Sequence, residues 1–272
     1  MRRMGIRCPL LRKPRRLRGC FVIPNPWDVG SARLLAQLGF PALATTSSGF
    51  AWSLGRPDNH VTLDECLAFL RTISESVDLP VNADFEDGFA TEPEGVAANV
   101  ARACATGIAG LSIEDSTRDP AHPLVDRTLA VERIRAARRA IDDSGTGVLL
   151  TGRSEGFIVG RPDLAETIRR LTEYAEAGAD CLYAPGLRSM DDISAVVAAV
   201  APKPVNVLVG SGAFTTGELE AAGVRRISVG GALARVAWQG FLEAAREIAV
   251  DGSFRGLSRA IPFDEIERAF AS

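Results

Sequence analysis

Lysine is nearly absent. It occurs only at Lys13 and Lys203 in a chain of 272 residues, so almost all the positive charge is arginine. A Schiff-base aldolase needs a lysine amine desolvated inside its site. Lys13 sits in an arginine-rich stretch and Lys203 just before an apolar strand pattern, so neither suits that role. Histidine is equally scarce: His60 and His122 are the only two, which argues against a multi-histidine zinc centre. The five cysteines are scattered and form no CxxC pair. They read as free thiols in a reducing compartment, and a cytoplasmic location is expected. No apolar run is long enough to cross a bilayer. With a net charge of −3, nothing calls for nucleic acid or a membrane surface as partner.

Acid is missing from the start of the chain. No carboxylate precedes Asp28, while Arg2, Arg3, Arg7, Arg12, Lys13, Arg15, Arg16 and Arg18 crowd the same segment. A signal peptide needs a longer apolar centre, and the serine typical of a transit peptide is lacking. Residues 1–19 are read as a disordered basic arm or an upstream start.

From residue 20 onward apolar, β-branched runs alternate with helical patterns. Strands are expected at Phe21–Ile23, Ala42–Thr45, Pro80–Ala83, Leu111–Glu114, Val148–Gly152, Cys181–Ala184, Val205–Val209 and Arg226–Val229. Helices are expected between them, and a longer one, Ala232–Val250, after the last. Several helices end in one phrase, such as Glu176-Ala177-Gly178-Ala179 and Ala221-Ala222-Gly223-Val224. A glycine there supplies the left-handed cap, and the next apolar residue enters a strand. Continuous apolar strands between helices imply a parallel sheet covered by helices. Eight such units in ~250 residues match a (β/α)8 barrel. An open doubly wound sheet is the alternative, but no GxGxxG follows the first strand. The barrel is assigned to residues 20–252. Residues 253–272 are read as a helical extension that packs on a neighbouring subunit, or else caps its own.

A barrel enzyme builds its site from the loops after the strands. Val81-Asn82-Ala83-Asp84-Phe85-Glu86-Asp87-Gly88 ends one strand with three carboxylates, and Ser112-Ile113-Glu114-Asp115 ends the next in the same form. Crowded carboxylates repel one another, and a hard divalent cation offsets that repulsion. Asp84 and Glu114, with Asp58 or Glu86, are the candidate ligands, partly through water as magnesium prefers; manganese is an alternative. Arg153 is the candidate fork for a carboxylate or phosphonate. Ser48, Gly49 and Phe50 begin a loop whose backbone amides could hold a second oxyanion. Asn206 is a polar residue within a strand. Arg153, Glu114, Asp58 and His122 are the candidate catalytic groups. A rival reading starts from the glycines after strands seven and eight, where barrels often bind phosphate; it would make the protein a sugar-phosphate enzyme.

Taken in order, Pro24-Asn25-Pro26-Trp27-Asp28-Val29-Gly30-Ser31-Ala32-Arg33, Ser53-Leu54-Gly55-Arg56-Pro57-Asp58, Val81-Asn82-Ala83-Asp84, Ser112-Ile113-Glu114-Asp115 and Gly152-Arg153-Ser154 resemble the isocitrate lyase/phosphoenolpyruvate mutase superfamily. The resemblance spans about residues 21–250. It implies a (β/α)8 barrel with a terminal helix exchanged between subunits of a dimer or tetramer. It also implies Mg²⁺, small 2-oxo or related carboxylate substrates, and C–C or P–C bond cleavage through a metal-stabilised enolate. Ser48 and Gly49 match the family's carboxylate-binding pair. Asp58, Asp84 and Glu114 match its metal-shell acids, Arg153 its substrate arginine, and Asn206 a polar residue of strand seven. Two departures stand out. The family's Asp-Ala-Asp is Asn82-Ala83-Asp84 here, with Glu86 or Asp87 as possible replacements. Its Lys-Lys-Cys-Gly loop is absent: Asp115-Ser116-Thr117-Arg118-Asp119-Pro120-Ala121-His122 follows Glu114. A carbon–carbon lyase other than a true isocitrate lyase is therefore expected. A phosphonopyruvate-type mutase or hydrolase and a non-catalytic 2-oxo-acid sensor are the alternatives.

Overall fold

The computed structural model describes residues 19–271. The expected basic arm falls outside them except for Gly19. Eight strands form one parallel sheet: β1 (Phe21–Ile23), β2 (Leu43–Ala44), β3 (Val81–Asp84), β4 (Gly110–Glu114), β5 (Leu149–Arg153), β6 (Cys181–Tyr183), β7 (Val205–Leu208) and β8 (Arg226–Ser228). Their order is β1-β8-β7-β6-β5-β4-β3-β2, so the sheet curls until its two end strands meet. Ala44 N donates to Pro24 O at 3.1 Å across that seam. Asn25 fastens it from both sides: its Nδ2 donates to Thr45 O at 2.8 Å, and its Oδ1 accepts from Val229 N and Gly230 N. This is the (β/α)8 barrel expected from the sequence.

The helices are α1 (Val29–Gln37), α2 (Ser47–Ser53), α3 (Leu63–Ser76), α4 (Pro93–Cys104), α5 (Arg127–Ser144), α6 (Leu164–Glu176), α7 (Met190–Val200), α8 (Thr216–Ala221), α9 (Ala232–Asp251) and α10 (Phe263–Phe270). Sequence chemistry sets their starts. Asp28 with Ser31, Thr62 with Glu65 and Thr215 with Glu218 each close a reciprocal capping box. The short α2 was not expected; the sequence reads there as a loop. Thr46 caps it by accepting from Gly49 N.

Alternation along the strands separates two environments. Val81, Ala83, Leu111, Ile113, Leu150, Leu182, Val205, Val207 and Ile227 join the buried apolar layer beneath the helices. Asn82, Asp84, Ser112, Arg153, Asn206, Arg226 and Ser228 line the barrel's interior instead. The strands expected to be continuously apolar therefore alternate, and their polar inner face points at the site. No helix among the described residues is long and apolar enough to cross a membrane.

The C-terminal extension folds back on its own chain. α10 packs beside α1, where Gln37 Nε2 donates to Ala269 O. Around it a large apolar surface stays open: Val236, Phe241, Val250, Phe254, Leu257, Ile261 and Phe263 are all more than half exposed.

Candidate active site

The interior face opens into a cavity of about 150 Å³ at the C-terminal ends of the strands. That is small beside the several-hundred-Å³ clefts that take larger ligands. Asp58, Asp84 and Arg153 line it with Ser47, Ser48, Asn82, Tyr183, Asn206 and Arg226.

Arg153, at the end of β5, is its electrostatic centre. Its Nε lies 2.5 Å from Glu155 Oε1, and its Nη1 lies 3.1 Å from Asp84 Oδ1 and 3.2 Å from Glu114 Oε2. The guanidinium also sits 5.2 Å from the centre of the Tyr183 ring. Despite burial, the surrounding carboxylates hold Arg153 firmly protonated. Its partners do not benefit equally. Burial pushes Glu114 and Glu155 upward against the pull of Arg153, and repulsion from neighbouring acids adds to it. One fixed cation cannot neutralise three carboxylates, two of them buried.

The same shortage extends along the wall. Asp58 is raised by burial and by Asp84. Glu86, pushed up to about 8 by burial and by Asp84, is held by Arg118 Nη2 at 2.7 Å. Arg118 also reaches Asp87 at 3.1 Å and the backbone of Asn59 at 3.4 Å, tying together the loops after β4, β3 and β2. Glu86 (φ 48°) and Arg118 (φ 65°) both adopt left-handed backbone, a conformation costing about 1–3 kcal/mol at non-glycine residues and concentrated at functional loops.

Among the described residues no three histidine, cysteine or carboxylate side chains converge into a ready-made metal cage. The donor set fits a divalent cation in a looser way. Asp58 and Asp84 line the same cavity, and the acid excess around them lacks positive charge. Magnesium is typically held by one or two carboxylates, with water and substrate oxygens completing its shell.

The remaining expected residues separate. Ser48 lines the cavity, and Ser47 N donates to Asp84 Oδ2 at 3.0 Å. Gly49 is buried behind it: a Cβ there would stand 2.7 Å from Thr46 Cγ2 and 3.0 Å from Trp27 Cβ. The Gly49 amide donates to Thr46 Oγ1, so this glycine is demanded by packing and capping. Phe50 stacks on Phe69 at 3.9 Å, away from the main cavity. Glu86 faces an adjoining small cavity that it shares with Asp84. Glu114 is buried behind Arg153 and accepts from Ser116 Oγ at 2.5 Å. Asn206 lines the cavity floor. His122 is not brought to the site: its side chain is 86% exposed and pairs with Asp119, because its loop turns outward.

Sequence reading missed Tyr183 and Arg226. Both lie within strands, where side-chain direction depends on the register of the closed barrel. Burial raises Tyr183 to about 12, so it faces the cavity as a neutral phenol. An arginine inside the apolar run Arg226-Ile227-Ser228-Val229 was the available signal for the other.

The sequence pattern of the family described as phosphoenolpyruvate phosphomutase matches residues 11–249. A solved structure from Burkholderia cenocepacia J2315, described provisionally as a lyase/mutase, is 47% identical with a TM-score of 0.91, covering 94% of this chain and 92% of that one. The 2-methylisocitrate lyase of Escherichia coli (strain K12) is 33% identical over 72% of this chain and 69% of its own length. An oxaloacetate decarboxylase of Rhodopseudomonas palustris is 29% identical over 92% of this chain and 88% of its own.

Proposed function

Because the chain belongs to the phosphoenolpyruvate phosphomutase family, within the isocitrate lyase/PEP mutase superfamily, we propose that it is a divalent-metal-dependent carbon–carbon lyase acting on a small 2-oxo or 2-hydroxy carboxylate. The observation that carries this reading is the cluster at the mouth of the barrel. There one guanidinium, Arg153, serves Asp84, Glu114 and Glu155, while Asp58 and Asp84 face the cavity. Such a set is short of positive charge until a cation arrives.

Asp84 and Asp58 would hold magnesium, with Glu114 and Glu86 acting through water. The metal would polarise the substrate's carbonyl oxygen and offset negative charge as the bond breaks. Arg153 takes an acidic oxygen of the substrate while its other N–H groups stay fixed by the surrounding carboxylates. Glu155 and Glu114 lock that guanidinium in place, which avoids reorganisation at the moment of reaction. Tyr183 supplies a neutral O–H at the same cavity, suited to donating a proton or hydrogen bond. Arg118 ties the loop after β4 to the acids that follow β3, fixing its place beside the site. It contains no cysteine, so the reaction differs from that of a true isocitrate lyase. The open apolar surface of α9, α10 and the segment between them supports a second copy of the chain as its cover, in a dimer or tetramer.

The test is turnover by the full chain across a panel of 2-oxo and 2-hydroxy acids, followed by chromatography of the products. The reading expects cleavage of at least one member, lost with a chelator and restored by Mg²⁺ or Mn²⁺. Binding of oxo acids with no product from any of them would instead make the protein a sensor.

A further inference from the structure

The floor of the same cavity carries a charge that this reaction leaves unused. Arg226 opens β8 and points inward. Its Nε donates to Asn206 Oδ1 at 2.9 Å, one terminal nitrogen to Thr151 Oγ1 at 2.9 Å, and the other to Asn82 Oδ1 at 3.3 Å. All three acceptors are neutral. Among the described residues no carboxylate forms an ion pair with Arg226, whereas Arg153 has three. Each terminal nitrogen of a guanidinium carries a second N–H beyond the one used here.

Three neutral partners on three strands fix the plane of the guanidinium without cancelling its charge. That is the construction of an anion receptor: a rigid fork, already oriented, with donors to spare. A merely structural plug would need no charge, and an enclosed cation is ordinarily paired.

Position follows from strand geometry. Asn82 and Asp84 are two residues apart on β3, as are Thr151 and Arg153 on β5. Arg226 bonds the lower member of each pair, and Arg153 belongs to the upper layer with Asp84. Two residues along a strand span roughly 7 Å. One cavity therefore holds two guanidinium groups a layer apart. A short chain acidic at both ends spans such a pair.

We infer that Arg226, oriented by Asn82, Thr151 and Asn206, is a second anion receptor that selects substrates carrying a carboxylate at each end. The inference rests on the 2-oxo-acid reading above and assigns the distal carboxylate its partner.

Pyruvate and oxaloacetate differ by one carboxylate and make the matched probes. Trp52 adjoins Gly231, which lines the cavity, so rapid-mixing tryptophan fluorescence with Mg²⁺ present reads binding before any turnover. The native protein should prefer oxaloacetate by roughly 10- to 100-fold, the range of a charge-assisted hydrogen bond. Arg226→Gln should bring the two affinities close together. Asn82→Asp, nearly isosteric, gives Arg226 a carboxylate of its own and should also shrink the ratio; it decides the matter if Arg226→Gln fails to fold. Equal affinities in the native protein, or an unchanged ratio in the folded variants, overturns the inference alone. Binding of neither probe overturns the 2-oxo-acid reading, and this inference falls with it.

Discussion

Replacing Arg153 with glutamine should destabilise the protein strongly at alkaline pH and much less in mild acid. The side chain is 17% exposed, and its three partners are 18% (Asp84), 9% (Glu114) and 4% (Glu155) exposed. Removing one member of a buried ion pair costs about 3–5 kcal/mol, because the other charge is left without compensation. Here one deletion strands three carboxylates, so the upper part of that range is expected at pH 8.5. At about 2–4 °C per kcal/mol, the melting temperature should fall by roughly 8–20 °C. The pH dependence has a definite sign. Glu114 and Glu155 are already raised in the folded protein, and losing Arg153 raises them further. A folded state that holds protons the unfolded chain has released loses stability as pH rises. The deficit should therefore shrink as pH falls toward 5 and Glu114 and Glu155 protonate. Thermal and urea unfolding of both proteins from pH 5 to 9 measures it. A deficit of the same size at both ends would refute the charge argument and leave Arg153 as ordinary packing.

Glu86→Gln tests the same shortage without touching Arg153. The raised Glu86, near 8 in the folded protein against 4.5 ordinarily, contributes stability that is complete below 4.5 and lost as pH climbs through 8. The variant lacks that loss, so urea midpoints should show it gaining on the native protein between pH 5 and 9; parallel curves would count against it. Gly49→Ala forces a Cβ to within 2.7 Å of Thr46 Cγ2. It should cost about 1–3 kcal/mol by overpacking, read in the same unfolding assay, and a neutral outcome would return Gly49 to consideration as a ligand-binding residue. Deleting residues 254–272 should lower the assembled mass seen by light scattering, whereas an unaltered mass would remove the extension from any subunit contact.

Much of the fold was legible in the sequence because it rests on local chemistry. Caps such as Thr62 with Glu65, and the glycines after helices, mark boundaries through hydrogen bonds made within a few residues. Apolar runs between those marks are strands wherever they pack beneath helices, and eight of them leave a closed barrel as the natural parallel sheet. The acid ends of β3 and β4 and the arginine ending β5 were legible for the same reason: strand ends lead to one face of the barrel. The loops escaped that logic. His122 looks like a catalytic base in sequence, yet its loop turns it to solvent. Gly49 reads as an oxyanion binder, yet Thr46 and Trp27 close around it.

The sequence by itself determined that carboxylates and an arginine would gather at strand ends, since strand period and helix caps are properties of neighbouring residues. Only the tertiary structure decided how the charges pair. Asp84 and Arg153 are separated by 69 positions, and Arg226 and Asn82 by 144. Which guanidinium serves three acids and which serves none depends on the stagger of strands around the closed barrel. No local pattern encodes that stagger, because it is fixed by how every helix packs against the sheet.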